Sequence, residues 1–205
     1  MKKLLAKSQE RITEIRVHMQ SAHTLDLNGQ YERSLSERAL VTEACFLNLF
    51  IVFEEFLEAS FLHYLVGRMS TARWRPSRYA KPPTVEHANK MLVGQQRFVD
   101  WSTPATVIKY SELYFLEGEP FKTPLSGASA QLLDMKTVRN STAHKSTTTQ
   151  VKLETLYLRW SGMPKYGVTA YEMLIEPKSG GGTTFYFESE RYVSAIIANI
   201  ANRTS

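Results

Sequence analysis

One cysteine in 205 residues rules out a disulfide framework and any cysteine-based zinc site. Cys45 lies inside an apolar run, which fits a reducing compartment. Long hydrophobic runs are missing too. The longest, Cys45–Phe53 broken by Asn48, falls far short of the roughly 20 residues that cross a bilayer. No carboxylate or cysteine cluster accompanies His18 and His23, and His87 stands alone, so no metal site is expected. Gly180-Gly181-Gly182 opens a strand-like segment and no lysine follows it, so it is no nucleotide loop, and no cofactor is expected. The N-terminal Met-Lys-Lys-Leu-Leu-Ala-Lys imitates a secretory leader briefly, then turns charged, with too short an apolar core. These absences lead us to expect a soluble, cytoplasmic protein with no membrane association.

Acid is missing from one stretch in particular. No Asp or Glu falls between Glu58 and Glu86, while Arg68, Arg73, Arg75, Arg78 and Lys81 alternate with Trp74 and Tyr79. Residues 67–83 therefore read as an irregular, basic insertion. Cations for phosphates and aromatics for stacking are what single-stranded nucleic-acid surfaces use. A solvated loop whose Trp74 packs on the body of the protein accounts for the same residues equally well. The whole chain carries a formal net charge of +5 with pI near 9.3, which modestly favours polyanion partners.

The length suits one domain over 1–205 with a real core, and the apolar periodicity is mostly helical. Leu5, Ile12, Ile15, Met19 and Ala22 mark a helix over 2–28. Ser34-Leu35-Ser36-Glu37 is a capping box for a second helix, about 35–66, closed by Gly67. Its middle, 46–53, is apolar on every side and predicts a helix buried all round, in a bundle centre or at a subunit interface. Glu54 and Glu55 interrupt it. Either Glu54 turns inward to hold Arg139, or both are solvated, and we expect the latter.

Thr84 caps a short helix that ends at Gly94, and Pro104 opens another that runs to about Phe115. Gly118, Pro120, Pro124 and Gly127 predict a loop. Residues 147–160 and 189–202 read as further helices. Between those two, 171–176 and 183–188 flank a glycine turn and predict a small β-hairpin over 171–188. The expected fold class is an all-α bundle of antiparallel helices with that hairpin near the C-terminus.

The stretch 126–146 is unusual. Leu132, Leu133, Met135 and Val138 form a helical run that ends in Arg139-Asn140-Ser141-Thr142-Ala143-His144. Arg139 follows Leu132 by seven residues, about two turns, so it shares that apolar face, where a cation is expensive without a partner. Arginine's fork of donors suits a phosphate oxygen, and histidine can take or give a proton near neutral pH. In a chain with 13 arginines and 5 histidines, chance alone supplies about 0.3 matches to Arg-x4-His, so context must add to spacing. That context is the Arg-Asn dipeptide, the small Ala143 before His144 and the preceding helix.

Those six residues resemble the R-N-x-x-A-H signature of HEPN domains, a superfamily of small helical proteins. Many are metal-independent ribonucleases of toxin–antitoxin, abortive-infection and phage-defence systems. The resemblance implies catalytic Arg139 and His144, an accessory Asn140, RNA as substrate, and cleavage through the 2′-OH that leaves a 2′,3′-cyclic phosphate. It also implies a homodimer with a composite active site, and an antitoxin or defence partner protein. Members paired with nucleotidyltransferase antitoxins carry tyrosine two residues after the histidine, where this chain has Ser146. Lys145, Arg73, Arg75, Arg78 and Trp74 are the candidate RNA-binding residues. Some HEPN proteins keep the fold as a non-catalytic binding or regulatory module, which is the alternative; a helical interaction protein is a third reading.

Overall fold

Caps and apolar stripes set most of the helix boundaries. The computed structural model describes residues 1–94, 99–144 and 146–204. Among them nine α-helices follow in order: α1 (Lys2–Ala22), α2 (Leu35–Leu65), α3 (Val85–Val93), α4 (Pro104–Tyr114), α5 (Lys122–Gly127), α6 (Ser129–Ala143), α7 (Thr147–Ser161), α8 (Ala170–Ile175) and α9 (Phe185–Ala201). The fold is all-α, and the described residues hold isolated β-bridges but no strand. No described helix is long and apolar enough to cross a membrane.

The chain divides into two compact units, the first from Met1–Gln9, Val52–Leu133 and Tyr192–Ser205, the second from Glu10–Ile51 and Asp134–Arg191. The core of the first is built on Phe61, whose ring centroid lies 4.9 Å from Phe121, 5.0 Å from Phe115 and 5.5 Å from Trp101. Aromatic pairs at such separations add to the hydrophobic gain of burial. Tyr64, fully buried, donates to the Ile200 carbonyl at 2.7 Å, so the phenol is not stranded in the core.

The second unit is built on Phe46 and Phe185, 6.4 Å apart, with Trp160 edge-on to Phe185 at 5.1 Å. Glu190 is buried, and Arg16 meets it with two guanidinium donors on one carboxylate oxygen. A carboxylate in such a core needs that pairing. Cys45 is buried here and its thiol is pushed up by burial, so it packs as a small apolar group.

Two expectations change. The predicted hairpin over 171–188 is absent. Thr169 and Glu172 form a capping box, with Thr169 N donating to Glu172 Oε2 at 2.8 Å and Glu172 N donating to Thr169 Oγ1 at 3.1 Å. That box starts α8 where a strand was expected. Phe185, Tyr186, Ser189, Glu190, Val193, Ile196, Ile197 and Ile200 are all buried, a three-four spacing that starts the last helix at Phe185. The glycine turn between these helices keeps a single bridge, Pro177 with Thr184.

The second correction concerns α2, which is not buried all round. Ala44, Asn48, Ile51, Glu55 and Glu58 form one exposed stripe, so the apolar Ile51 is 44% exposed while Phe46, Leu49, Phe50 and Phe53 are buried. Smaller shifts follow the same logic: α1 stops at Ala22, and the stretch expected as loop holds α5, with Pro124 and Gly127 inside it.

Candidate active site

The motif sits at the end of α6. Leu132, Met135 and Val138 are buried and Leu133 is 52% exposed, so the helix lays one narrow stripe inward. Arg139 is half-buried. Its Nη1 donates to Asn140 Oδ1 at 3.4 Å, a long bond, and no carboxylate among the described residues pairs with it. The guanidinium therefore keeps most of its five donors for another oxygen. Ser141 and Thr142 donate their hydroxyls back to the carbonyls of Thr137 and Val138, at 3.0 and 3.1 Å. Such bonds fasten a hydroxyl to its own helix, so Arg139 and Asn140 are the polar groups the final turn can offer.

The helix ends at Ala143. His144 N still donates to the Asn140 carbonyl at 2.9 Å, but the side chain stands exposed, and no hydrogen bond engages either ring nitrogen among the described residues. The corner is fixed from the far side. Ser146 caps α7 and accepts from Thr149 N at 3.2 Å, and Ser146 N donates to Thr149 Oγ1 at 3.0 Å. The single hydroxyl proton of Thr149 is shared between the carbonyls of His144 and Ser146, both at 2.9 Å. A cap thus holds the backbone that carries the histidine. Arg139, Asn140 and His144 come together in one helix end and its exit; Lys145 lies outside the described residues.

Beside this corner is a pocket of about 530 Å³ that sequence reasoning missed. Ser141 reaches it from the motif, Thr147 and Gln150 from the start of α7, Glu43 from α2, and residues 167–170 close it from the approach to α8. Gln150 Nε2 donates to the Val168 carbonyl and to Glu154 Oε1, each at 3.0 Å, so its amide is oriented. Glu43 Oε1 accepts from Tyr171 N at 3.1 Å. No sequence motif joins Glu43 to Gln150; they meet only as lining of the same pocket. The Thr169-x-x-Glu172 box was the one readable signal that this wall is helical.

The basic insertion belongs to the first unit, and its cations divide into two kinds. Arg73 and Arg75 are exposed, as is Tyr79 at 65%. Arg78 is spent on the fold: Nη1 donates to the Leu65 carbonyl at 2.7 Å. Trp74 is half-buried, edge-on to Tyr64 at 6.2 Å with the Arg203 guanidinium 5.9 Å from its ring centre. The loop is tied down by Thr71 N to the Ala201 carbonyl, 2.9 Å, and Ser70 Oγ to the Arg203 carbonyl, 2.8 Å. In sequence the first unit holds 13 Lys and Arg against 8 Asp and Glu, and the second 12 against 12, so the net +5 belongs to the first.

No group of three or more His, Cys, Asp or Glu among the described residues could hold a metal ion. Comparisons with family models, with curated proteins and with solved structures return no match, so a functional reading rests on this chain's own residues.

Proposed function

We propose that this chain is a metal-independent endoribonuclease of the HEPN type, a cytoplasmic toxin or phage-defence effector that acts as a homodimer. The observation that carries the reading is the half-buried Arg139, hydrogen-bonded to an amide oxygen instead of a carboxylate, one turn before the exposed His144. Arg139 binds the scissile phosphate and stabilises charge on the phosphorane. The ribose 2′-oxygen attacks phosphorus, its proton passes to a histidine, and the 5′-oxygen leaves with a proton given by a histidine. A dimer supplies two copies of His144, so base and acid need not be the same ring. Asn140 holds Arg139 in register.

Cleavage of mixed RNA by the purified protein in EDTA tests this, alongside His144→Ala and Arg139→Ala. Parent activity that leaves 2′,3′-cyclic phosphate ends, with each variant reduced by about 10²–10⁴, is expected. Either variant cutting at the parent rate overturns the assignment.

The exposed Arg73, Arg75 and Tyr79 in a unit of net positive charge favour a second reading, a non-catalytic RNA-binding module. It predicts salt-dependent RNA binding that survives His144→Ala, without turnover. An antitoxin or other defence partner is compatible with both readings.

A further inference from the structure

We infer that the pocket beside the α6–α7 corner is a nucleobase subsite that takes guanine, so that the enzyme cuts RNA next to a guanosine. The inference rests on the ribonuclease reading for its substrate class, and on the pocket's own chemistry for the base.

At about 530 Å³ the cavity accommodates one nucleoside. Leu153 and Val168 supply apolar surface for the face of a base, and both are buried. The polar lining discriminates. Glu43 brings the one carboxylate among the described lining residues, which disfavours a phosphate there and favours a ligand that presents N–H donors. Its orientation is set because Oε1 already accepts from Tyr171 N. Gln150 has committed its NH₂ to Val168 and Glu154, so what it can add is its amide oxygen, another acceptor.

A donor comes from the start of α7. Thr147 is the first residue of α7, so its backbone N–H has no carbonyl partner within the helix. A matching base needs two adjacent N–H donors for a carboxylate and an acceptor next to them. Guanine has that edge: N1–H and N2–H₂ side by side, flanked by O6. Adenine and cytosine offer one exocyclic amine beside a bare ring nitrogen, which a carboxylate repels. Uracil has one N–H between two carbonyls. A site built to receive two donors rejects bases that lack them.

Continuity with the chemistry comes from Ser141 and Thr149. Both line the pocket; Ser141 belongs to the motif, and Thr149 holds the His144 carbonyl. A guanosine seated there lies against Ser141 of the motif and against the cap that holds the His144 backbone.

The test is equilibrium binding of the four ribonucleosides, followed by protein NMR, to the parent, Glu43→Gln and Thr147→Trp. Thr147 is exposed at the mouth, so a tryptophan obstructs entry without entering the core. Glutamine at 43 keeps an acceptor for Tyr171 N and removes the carboxylate. Guanosine should bind the parent about tenfold or more tightly than the other three. Glu43→Gln should bring the four within about threefold, and Thr147→Trp should weaken all of them, with melting curves unchanged. Equal or absent binding by the parent, or a guanosine preference that survives Glu43→Gln, overturns the subsite. Cleavage of RNA mapped on the same proteins separates the two claims. RNA cut with no guanosine preference refutes the subsite and spares the ribonuclease. Guanosine preferred with no RNA cut supports the subsite and refutes the ribonuclease.

Discussion

The guanidinium of Arg78 fills the space that a side chain at Gly67 would need. A Cβ at Gly67 would stand 2.5 Å from Nη2 and 2.8 Å from Nη1, and Gly67 has φ +85°. The same guanidinium satisfies the carbonyl of buried Leu65. Arg78→Ala should therefore lower stability by about 1–3 kcal/mol, the cost of an orphaned buried carbonyl, as read from urea unfolding. Gly67→Ala should destabilise as well. The arginine tip can swing away from the new methyl, but only by leaving Leu65, and the positive φ adds about 1–2 kcal/mol. Arg75→Ala, on an exposed residue, should leave stability within about 0.5 kcal/mol and weaken RNA binding at low salt.

Arg139→Lys separates charge from geometry. Lysine keeps the cation but lacks the planar fork. If the fork grips the phosphate, the lysine variant should cut RNA nearly as slowly as Arg139→Ala, with a melting temperature close to the parent's. Recovery to within about threefold of the parent rate would mean that charge alone suffices.

Thr149 should act on catalysis through His144. Thr149→Val is nearly isosteric but removes the hydroxyl shared by the His144 and Ser146 carbonyls and half of the α7 capping box. Stability should fall by about 0.5–2 kcal/mol. The cleavage rate should drop about tenfold or more at temperatures where the variant stays folded, because the histidine backbone is freed. Unaltered cleavage by a folded, destabilised variant would reduce Thr149 to a cap.

His23 makes the second unit sensitive to acid. Its Nε2 lies 2.9 Å from the hydroxyl of buried Thr42, and its ring stacks on Tyr171 with centroids 6.1 Å apart. Burial, and then the Arg38 charge, hold its pKa below the ordinary 6.5. The unfolded chain thus binds the proton more readily than the folded one. Stability from this group is complete above about pH 6.5 and is lost as pH falls below it. His63, likewise lowered mainly by burial, contributes with the same sign. Unfolding free energy measured between pH 7.5 and 5 should decline, and His23→Gln should make that decline shallower. A steeper or unchanged slope in the variant would contradict the assignment.

Helix ends with caps are the legible part of this sequence. Ser34 with Glu37, Thr84 before α3 and Pro104 at the head of α4 each satisfy or remove an orphan donor that any helix start must deal with. Over 171–188, aromatic and β-branched residues around glycines imitate a hairpin. Thr169-x-x-Glu172 carries the opposite message and outweighs them. The arginine–histidine pair was legible because it is local, six residues on one helix end. Glu43 and the α7–α8 pocket were not, since tertiary packing alone brings distant segments to one wall. The fate of Arg78 was hidden for the same reason: in sequence it is indistinguishable from Arg75.

The uneven allotment of charge has a kinetic consequence. Attraction of a polyanion over tens of ångströms depends on net charge and fades with salt, whereas a hydrogen bond from Arg139 acts only at contact. The surplus lies in the first unit, and the arginine–histidine corner in a unit of zero formal charge. Capture and cutting should then answer to different variables: second-order encounter rates falling steeply as salt rises, and single-turnover rates of bound RNA staying nearly level.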